Sequence, residues 1–192
     1  MNDFTSHSLL LRVKQQNDAE SWRGFADMYE KMIRRYLGGC GVSPNDVDDV
    51  VQEVLTFLSQ HIAGFEHNGR PGAFRNWLRQ VTANRLREFR RKHKRESVGK
   101  DLGELAEELA DDNSGVSGVW QREHDRFVLE YLLTQVTDRF EPDSMSAFRK
   151  IMLEGKSSQA VAEELNMSPG AVRVAQSRVL KMLRKLGEGL ID

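Results

Sequence analysis

One stretch of the sequence, residues 74–95, limits the possible folds more than any other. Its 22 residues include nine Lys or Arg and a single acidic side chain, Glu88, and they contain neither Gly nor Pro. A helix can therefore run through the whole stretch. At 100° per residue it has two opposite faces, an apolar one with Phe74, Trp77, Leu78, Val81 and Phe89, and a basic one with Arg75, Arg79, Arg87, Arg90 and Lys94.

The basic face of this helix has two interpretations. It is either a solvated surface or a binding surface for negative charge. The charge is of one sign, few Glu–Lys pairs at i,i+4 neutralise it, and aromatic and Asn side chains lie among the arginines. Arginines suit phosphates, and aromatic rings and amides suit unstacked bases. The pattern favours nucleic acid as a partner.

Charge is distributed unevenly along the chain, although the net charge is only −1. Positive side chains are concentrated at 70–95 and 173–185, and negative ones at 46–53 and 101–112. The local distribution of charge, rather than the net charge, decides the partners.

The single cysteine, Cys40, excludes an intramolecular disulfide. No apolar run is long enough for a membrane span and no signal peptide is evident, so we expect a cytoplasmic protein without membrane insertion.

The spacing of apolar residues predicts a first helical domain over residues 1–95. A helix is expected from Asp18 to Leu37, ended by glycines, and a second one begins at an N-cap, Ser43, with Pro44 at its first position. A Gly- and Pro-rich loop over 64–73 precedes the basic helix.

Residues 96–125 have a different composition, with nine acidic against two basic side chains and the sequence NSGVSG in the middle. Leu102, Leu105 and Leu109 are spaced for a brief amphipathic turn. We expect a flexible acidic linker, for which the simplest role is that of a spacer.

A second helical domain is expected over residues 126–192. Its last part predicts two short helices, capped by Ser157 or Ser158 and by Ser168, which are joined by a turn at 166–168. Arg173, Gln176, Ser177 and Lys181 project outward from the last helix. This is the pattern of a helix-turn-helix, whose second helix fits the major groove, although helical hairpins without nucleic acid are common. The fold class is therefore all-α: two small helical domains joined by a flexible acidic linker, the C-terminal one a helix-turn-helix.

Catalytic motifs are missing from the sequence. GxxxxGK[ST], GxGxxG and GxSxG do not occur. His61 and His67 with Glu66 match no metal-binding spacing, and the carboxylate pairs at 107–108 and 111–112 fall in the expected linker. We predict a protein that is not an enzyme and that has no cofactor and no metal site.

The order of these motifs resembles an RNA polymerase sigma factor of the extracytoplasmic-function (ECF) type within the sigma-70 family. In this chain the motifs follow in the order of an acidic helix with Asp49, Gln52 and Glu53, a Gly/Pro loop, the F-R-x-W-L helix with Asn84 and Glu88, an acidic linker and an S-P-G-A-V-R helix-turn-helix. The resemblance extends from about Asp18 to Leu186. It implies a factor that directs core RNA polymerase to promoters and helps to melt the −10 element.

The resemblance also implies site residues in the first domain. The clamp of the polymerase's largest subunit would contact Asp46, Asp49, Gln52 and Glu53. The 64–73 loop would capture a flipped base, and the −10 element would be bound by Phe74, Arg75, Asn76, Trp77, Arg79, Gln80, Asn84, Arg87, Glu88 and Arg91.

In the second domain, the resemblance implies contacts to the flap of the second polymerase subunit and to the −35 element. The −35 residues would be Ser168, Gly170, Ala171, Arg173, Val174, Gln176, Ser177, Arg178 and Lys181. The acidic linker would pass through the RNA exit path, where its charge imitates RNA. An anti-sigma factor is a further partner of the family.

The chain departs from the family pattern at the recognition helix. Many members have Thr-Val-Lys-Ser-Arg where this chain has residues 171–175, AVRVA, so two polar contacts are absent. Glu88 also stands where Asp is more common. Two other functions remain open, a free-standing helix-turn-helix regulator that acts without polymerase and an adaptor that binds only proteins.

Overall fold

The computed structural model describes residues 8–15, 18–93 and 101–191. In these ranges the chain is helical throughout, with no strand, which confirms the all-α prediction. The α-helices are α1 (Leu9–Lys14), α2 (Ala19–Gly39), α3 (Pro44–His61), α4 (Ala73–Lys92), α5 (Leu102–Ala110), α6 (Gly115–Thr137), α7 (Pro142–Met152), α8 (Ser158–Glu164) and α9 (Pro169–Gly187), and a 3-10 turn, Ile62–Gly64, follows α3.

The chain forms two compact units. The first consists of Met1–Val128 together with Glu188–Asp192, and the second of Leu129–Gly187. The boundary between Val128 and Leu129 lies inside α6, so one helix begins in the first unit and ends in the second.

The core of the first unit is built from α2, α3, α4 and α5. Helix α3 packs against both α2 and α4, and α5 packs against α4. An aromatic cluster joins α2 to the start of α4: the Phe74 ring centroid lies 5.9 Å from that of Phe25, 5.8 Å from Tyr29 and 5.3 Å from Phe65. Phe74 is fully buried. The first residue of the predicted basic stretch therefore anchors α4 in the core.

The ends of the helices follow the predicted signals. The Ser43 hydroxyl accepts a hydrogen bond from the Asp46 backbone N–H at 3.3 Å, and Pro44 occupies the first position of α3. Gly72 precedes α4 with φ of +71°, in the left-handed region that favours glycine. A Cβ there would also meet the Arg75 guanidinium at 2.6 Å, so Gly72 has two reasons to lack a side chain.

Residues 101–125 differ from the flexible spacer that their composition predicts. They contain all of α5 and the first half of α6. Leu105, Ala106 and Leu109 are fully buried, and so is Trp120 in α6. The three leucines that predicted only a brief turn lie on one side of α5, and α4 supplies the apolar surface that this side needs. A partner face elsewhere in the chain therefore orders a segment that its own composition does not.

The second unit is a helix-turn-helix of α8 and α9, supported by α7. Its core is formed by Ala147, Val161, Ala162, Val172 and Ala175, with Ile151, Leu165 and Met167 packed against it. Ser157 caps α8 by accepting from the Ala160 N–H at 3.2 Å, and Ser168 accepts from the Ala171 N–H at 3.1 Å at the start of α9. Asn166, in the turn between α8 and α9, adopts a φ of 51°, in the left-handed region that Asn tolerates better than most residues.

Candidate nucleic-acid interface

Arg79 on α4 is buried, although it belongs to the predicted basic face. Its side chain is only 1% exposed. Its Nη1 donates to the Leu109 carbonyl at 2.6 Å, and its Nη2 pairs with Asp112. Burial of an arginine is costly unless its donors are satisfied. The end of α5 and the turn after it supply acceptors for Nη1 and Nη2, whereas the buried Nε has no acceptor among the described residues. Arg79 therefore holds α5 on α4 in this conformation.

Three further arginines of the same face pair with carboxylates of residues 101–125. Arg87 donates to both Glu107 oxygens, at 2.8 and 3.1 Å. Arg90 lies 2.9 Å from Asp101. Arg75 donates from Nη1 to both oxygens of Asp125, at 2.6 and 2.7 Å. Lys94, the fifth residue predicted for this face, lies outside the described residues. The four described members, Arg75, Arg79, Arg87 and Arg90, are called the basic face of α4 below, and the chain's own acidic residues occupy it.

The other residues predicted to bind the −10 element are placed in several ways. Trp77 is half-buried, with its ring centroid 5.1 Å from that of Phe65, and Gln80 donates to the Ala110 carbonyl at 3.0 Å. Asn84 is exposed and accepts from Arg87 at 2.8 Å, while Glu88 pairs with Arg85 at 2.9 Å. Asn76 is half-buried and Arg91 is exposed. The predicted set is therefore on one helix but not on one open surface.

A chain of polar side chains ties α6 to α2 and α4 inside the first unit. The buried His124 lies 3.0 Å from the Tyr29 hydroxyl through Nε2 and 3.1 Å from Asp125 through Nδ1. Burial lowers the pKa of His124, so the ring is neutral at pH 7. A carboxylate can only accept, so Nδ1–H donates to Asp125 and Nε2 accepts from Tyr29. Asp125 in turn accepts hydrogen bonds from Arg75.

The pKa values of the carboxylates on α5 keep those groups charged. Hydrogen bonds from Arg87 lower the pKa of Glu107 below its ordinary value. Backbone N–H donors at the start of α5, together with Arg90, lower the pKa of Asp101. Asp101 is also the N-cap of α5, accepting from the Gly103 and Glu104 N–H groups at 2.7 and 3.0 Å. These groups remain anionic at neutral pH, as the pairing with α4 requires.

The predicted polymerase-binding residues lie on α3. Asp49 and Gln52 are exposed, whereas Asp46 is half-buried in the first turn. Glu53 pairs with Lys92 of α4 at 2.9 Å. Asp48 pairs with Arg34 of α2. The face of α3 thus keeps two of its predicted contact residues fully accessible.

The outer face of α9 in the second unit contrasts with that of α4. Arg173, Ser177, Arg178 and Lys181 are exposed, and Val174 is 57% exposed. Within the described part of the second unit, none of the three basic residues pairs with a carboxylate. Val172, Ala175 and Val179 occupy the inner face of the same helix, which explains why its basic side faces outward. Gln176 is half-buried, with its amide nitrogen 3.2 Å from the Met152 sulfur.

The exposed N-terminal part of α9 completes this surface. Ser168, Gly170 and Ala171 are all accessible, and the Ser168 hydroxyl is engaged in capping. All nine residues predicted for the −35 element thus lie on α9 or at its N-cap, between Ser168 and Lys181. A single α-helix is of the size that a major groove admits.

Comparisons with known proteins give the family to which part of the chain is similar. The family described as sigma-70 region 2 matches residues 25–96, which cover most of α2 and all of α3 and α4. This part of the chain is therefore a sigma-70 region 2. It is also similar to a protein of Xanthomonas campestris pv. campestris named probable RNA polymerase sigma factor RfaY, with 30% identity over 139 residues. That match covers 71% of this chain and 33% of the relative, so the chain matches about a third of the length of that protein.

The sequence analysis did not identify the acceptors of the basic face. Asp101, Glu107, Asp112 and Asp125 were assigned to a spacer, and the signal that could have placed them is the leucine spacing at 102, 105 and 109. Among the residues that the structure describes, no three His, Cys, Asp or Glu side chains are grouped so that they could hold a metal ion. No described helix is both long enough and apolar enough to cross a membrane.

Proposed function

We propose that this chain is a sigma factor of the ECF type within the sigma-70 family. It directs core RNA polymerase to specific promoters and helps to melt the −10 element, while the polymerase carries out the chemistry. The observation that carries the proposal is the exposed cationic face of α9, on a helix-turn-helix in the same chain as a sigma-70 region 2 domain. Two nucleic-acid surfaces in separate units suit the two elements of one promoter. Because that work is done beside the chromosome, the proposal places the protein in the cytoplasm.

For the −35 element, α9 enters the major groove with its N-terminal half. Arg173, Arg178 and Lys181 donate to phosphates or to guanine edges. Val174 offers an apolar surface, and the thymine methyl is the apolar group that the major groove presents. The polar side chains of Ser168, Gln176 and Ser177, and the backbone at Gly170 and Ala171, complete the contact. An exposed valine among arginines is consistent with a −35 sequence unlike that of most family members.

For the −10 element, the surface is α4 with the 64–73 loop before it. Asn84 and Arg91 are exposed now, and Asn76 and Trp77 are partly so. Arg75, Arg79 and Arg87 would join them only after release from their present carboxylate partners. Gln80 and Glu88 are also engaged, and Phe74 supports the loop from the core. Unstacking a base costs a few kcal/mol, which contacts in a pocket can offset.

The partner surfaces for polymerase lie on both units. Asp49 and Gln52 on α3, with Asp46 and Glu53 beside them, would contact the basic clamp of the largest subunit. The second unit would contact the flap of the second subunit. An anti-sigma factor that masks either surface would regulate the assembly.

The test of the proposal is reconstitution of transcription. The full chain and core RNA polymerase are mixed with genomic promoter fragments, and runoff transcripts are mapped. We expect initiation at a defined set of promoters that core polymerase alone ignores. Asp49→Lys should abolish the complex with core polymerase, whereas Asp27→Lys, a matched change on exposed α2 surface, should not. Failure of the native chain to bind core polymerase at micromolar concentration would overturn the proposal.

A second candidate function is a free-standing regulator that binds an operator without polymerase. The observation that favours it is the contrast between the surfaces, since α9 is open while the basic face of α4 is occupied. Its test is selection of duplex DNA by the purified chain at physiological salt. Tight, sequence-specific binding without polymerase, together with no transcription in the reconstitution, would favour the regulator.

A further inference from the structure

The pairing between α4 and the acidic segment, defined here as residues 101–125, follows a regular order. Along α4, Arg90, Arg87, Arg79 and Arg75 are met in turn by Asp101, Glu107, Asp112 and Asp125. The residue numbers of the arginines fall while those of their carboxylate partners rise, so the segment runs antiparallel to α4. Every arginine of the basic face thus has an anionic partner from one continuous segment.

The acidic segment is also fitted to α4 by shape. Leu102, Leu105, Ala106 and Leu109 are at most 5% exposed. Gly103 lies beneath the Arg90 side chain, where a Cβ would clash with the guanidinium group, so the absence of a side chain lets Arg90 cross α5 towards Asp101. Gln80 adds a hydrogen bond to the Ala110 carbonyl. The contact is therefore built from apolar, polar and ionic parts.

We propose that the acidic segment and promoter DNA compete for the same face of α4. The inference rests on the proposed −10 function of that face. Carboxylates spaced along the acidic segment occupy the guanidinium groups that phosphates would otherwise meet, and the chain therefore binds DNA through α4 only when the segment has left. The apparent Kd of such a site is the intrinsic Kd divided by the fraction of time for which the site is open.

The solvent exposure of two of the ion pairs makes the competition reversible. Glu107 and Asp101 are 73% and 45% exposed, so water and salt reach both pairs. Exposed ion pairs contribute little to stability and are screened by salt. Arg79 and the leucines hold the segment more firmly, which sets the occupied state as the resting one. Binding of core polymerase to the segment or to α3 would then favour the open state.

The experiment uses the full chain and a double variant, Asp101→Asn with Glu107→Gln. Asn still caps a helix, and both side chains are exposed, so the variant retains the apolar contact. The matched control, Glu20→Gln with Asp27→Asn, removes the same charge from exposed positions on α2. The probe is a fluorescent 20-nucleotide single strand, titrated by anisotropy at 50 mM and 150 mM KCl. Amide hydrogen exchange of residues 101–110 is followed in parallel.

We expect the double variant to bind the single strand about fivefold more tightly than the control, the effect of losing two exposed ion pairs. Hydrogen exchange over 101–110 should be faster in the variant, and it should become faster in the native chain when the strand is added. Equal affinity of the double variant and the control, with α5 protected throughout, would overturn the competition.

The outcome is separable from that of the proposed function. If the native chain supports promoter-specific transcription but the double variant and the control bind DNA alike, the competition fails and the sigma function stands. If the native chain directs no transcription with core polymerase, the sigma function fails. In that case faster exchange of α5 on addition of DNA would still support a shared surface, and unchanged exchange would reject it.

Discussion

Helices α4 and α9 are both amphipathic and basic, yet their cationic faces differ in what they contact. Four arginines of α4 meet four carboxylates from residues 101–125, and one of these arginines, Arg79, is 1% exposed. The arginines of α9 face outward, and their helix is buried only along the Val172–Val179 side. A cationic stripe in a sequence therefore predicts attraction to negative charge, and the fold decides whether that charge comes from DNA or from the same chain.

The largest expected effect tests whether Arg79 is structural. Arg79→Ala should lower the free energy of unfolding of the first unit by about 2 kcal/mol, because the buried stem is lost and the Leu109 carbonyl loses its donor. The corresponding change on α9, Arg173→Ala, should shift stability by less than about 0.5 kcal/mol, as expected for an exposed side chain. Urea denaturation followed by circular dichroism, with hydrogen exchange to assign each unit, measures both. Equal, small effects would mean that α5 is not held by Arg79.

The next prediction concerns affinity for DNA. Arg173→Ala or Arg178→Ala should weaken duplex binding about tenfold and lower the salt slope by about 0.9. Arg87→Ala should cost much less, because the same change removes a DNA contact and loosens the acidic segment. Arg23→Ala, at an exposed position of α2, is the control. Titrations at several KCl concentrations give the slopes, and a loss at Arg87 as large as at Arg173 would show that the two faces are equally open.

The third prediction uses pH to separate the units. The pKa of His124 is lowered by burial, so below pH 6.5 the unfolded chain binds a proton that the folded first unit does not. Stability of that unit should therefore fall as pH is lowered from 7.5 to 5.5, by about 1 kcal/mol in total. Residues 129–187 contain no histidine, so the second unit should show no such loss in this range.

The control for the pH experiment is His124→Gln, which removes the titrating group. Its first unit should be less stable at pH 7.5 and nearly independent of pH down to 5.5. The hydrogen bonds from His124 and Arg75 lower the pKa of Asp125 despite its partial burial, so that group contributes only at more acidic pH. Thermal melts of the native and variant chains, measured at pH steps of about 0.5 between 7.5 and 5.5, give the comparison. A parallel pH dependence in both proteins would assign the effect to other groups.

The smallest expected effect concerns the apolar part of the α9 surface. Val174→Ala should weaken binding to a selected duplex about fourfold, the effect expected if one of the two methyl groups that it removes is buried against the DNA. Replacing a contacted thymine by uracil removes the methyl from the other side, so the two changes together should cost little more than either one. Val119→Ala, another exposed valine, is the control. Additive losses in the double-mutant cycle would place the thymine contact elsewhere.

Much of the local structure could be predicted from the sequence. Ser43 with Pro44 and Ser168 with Pro169 mark helix starts in any context, because a hydroxyl acceptor and a fixed φ act over a few residues. The apolar face of α4 and the inner face of α9 follow from periodicity alone. The composition of residues 101–125 predicted a flexible spacer, because many acidic side chains are typical of disorder. In the structure, arginines 11 to 50 residues away neutralise these side chains.

The candidate site was predictable as a set of residues but not as a surface. The nine positions assigned to the −35 element lie together because they share one helix, and helical spacing places them without tertiary information. The ten assigned to the −10 element also share one helix, but a second helix covers part of it. Whether Arg79 is available depends on Leu105 and Leu109, which the residues around Arg79 do not reveal.

The sequence by itself determined that the chain is helical, where most of its helices begin and which helices carry basic side chains, since these properties depend on neighbours a few residues apart. Only the tertiary structure decided which cationic face is already paired. That pairing depends on the apolar surface that α4 and α5 bury together, and burial brings charges that are distant in the chain within hydrogen-bonding distance.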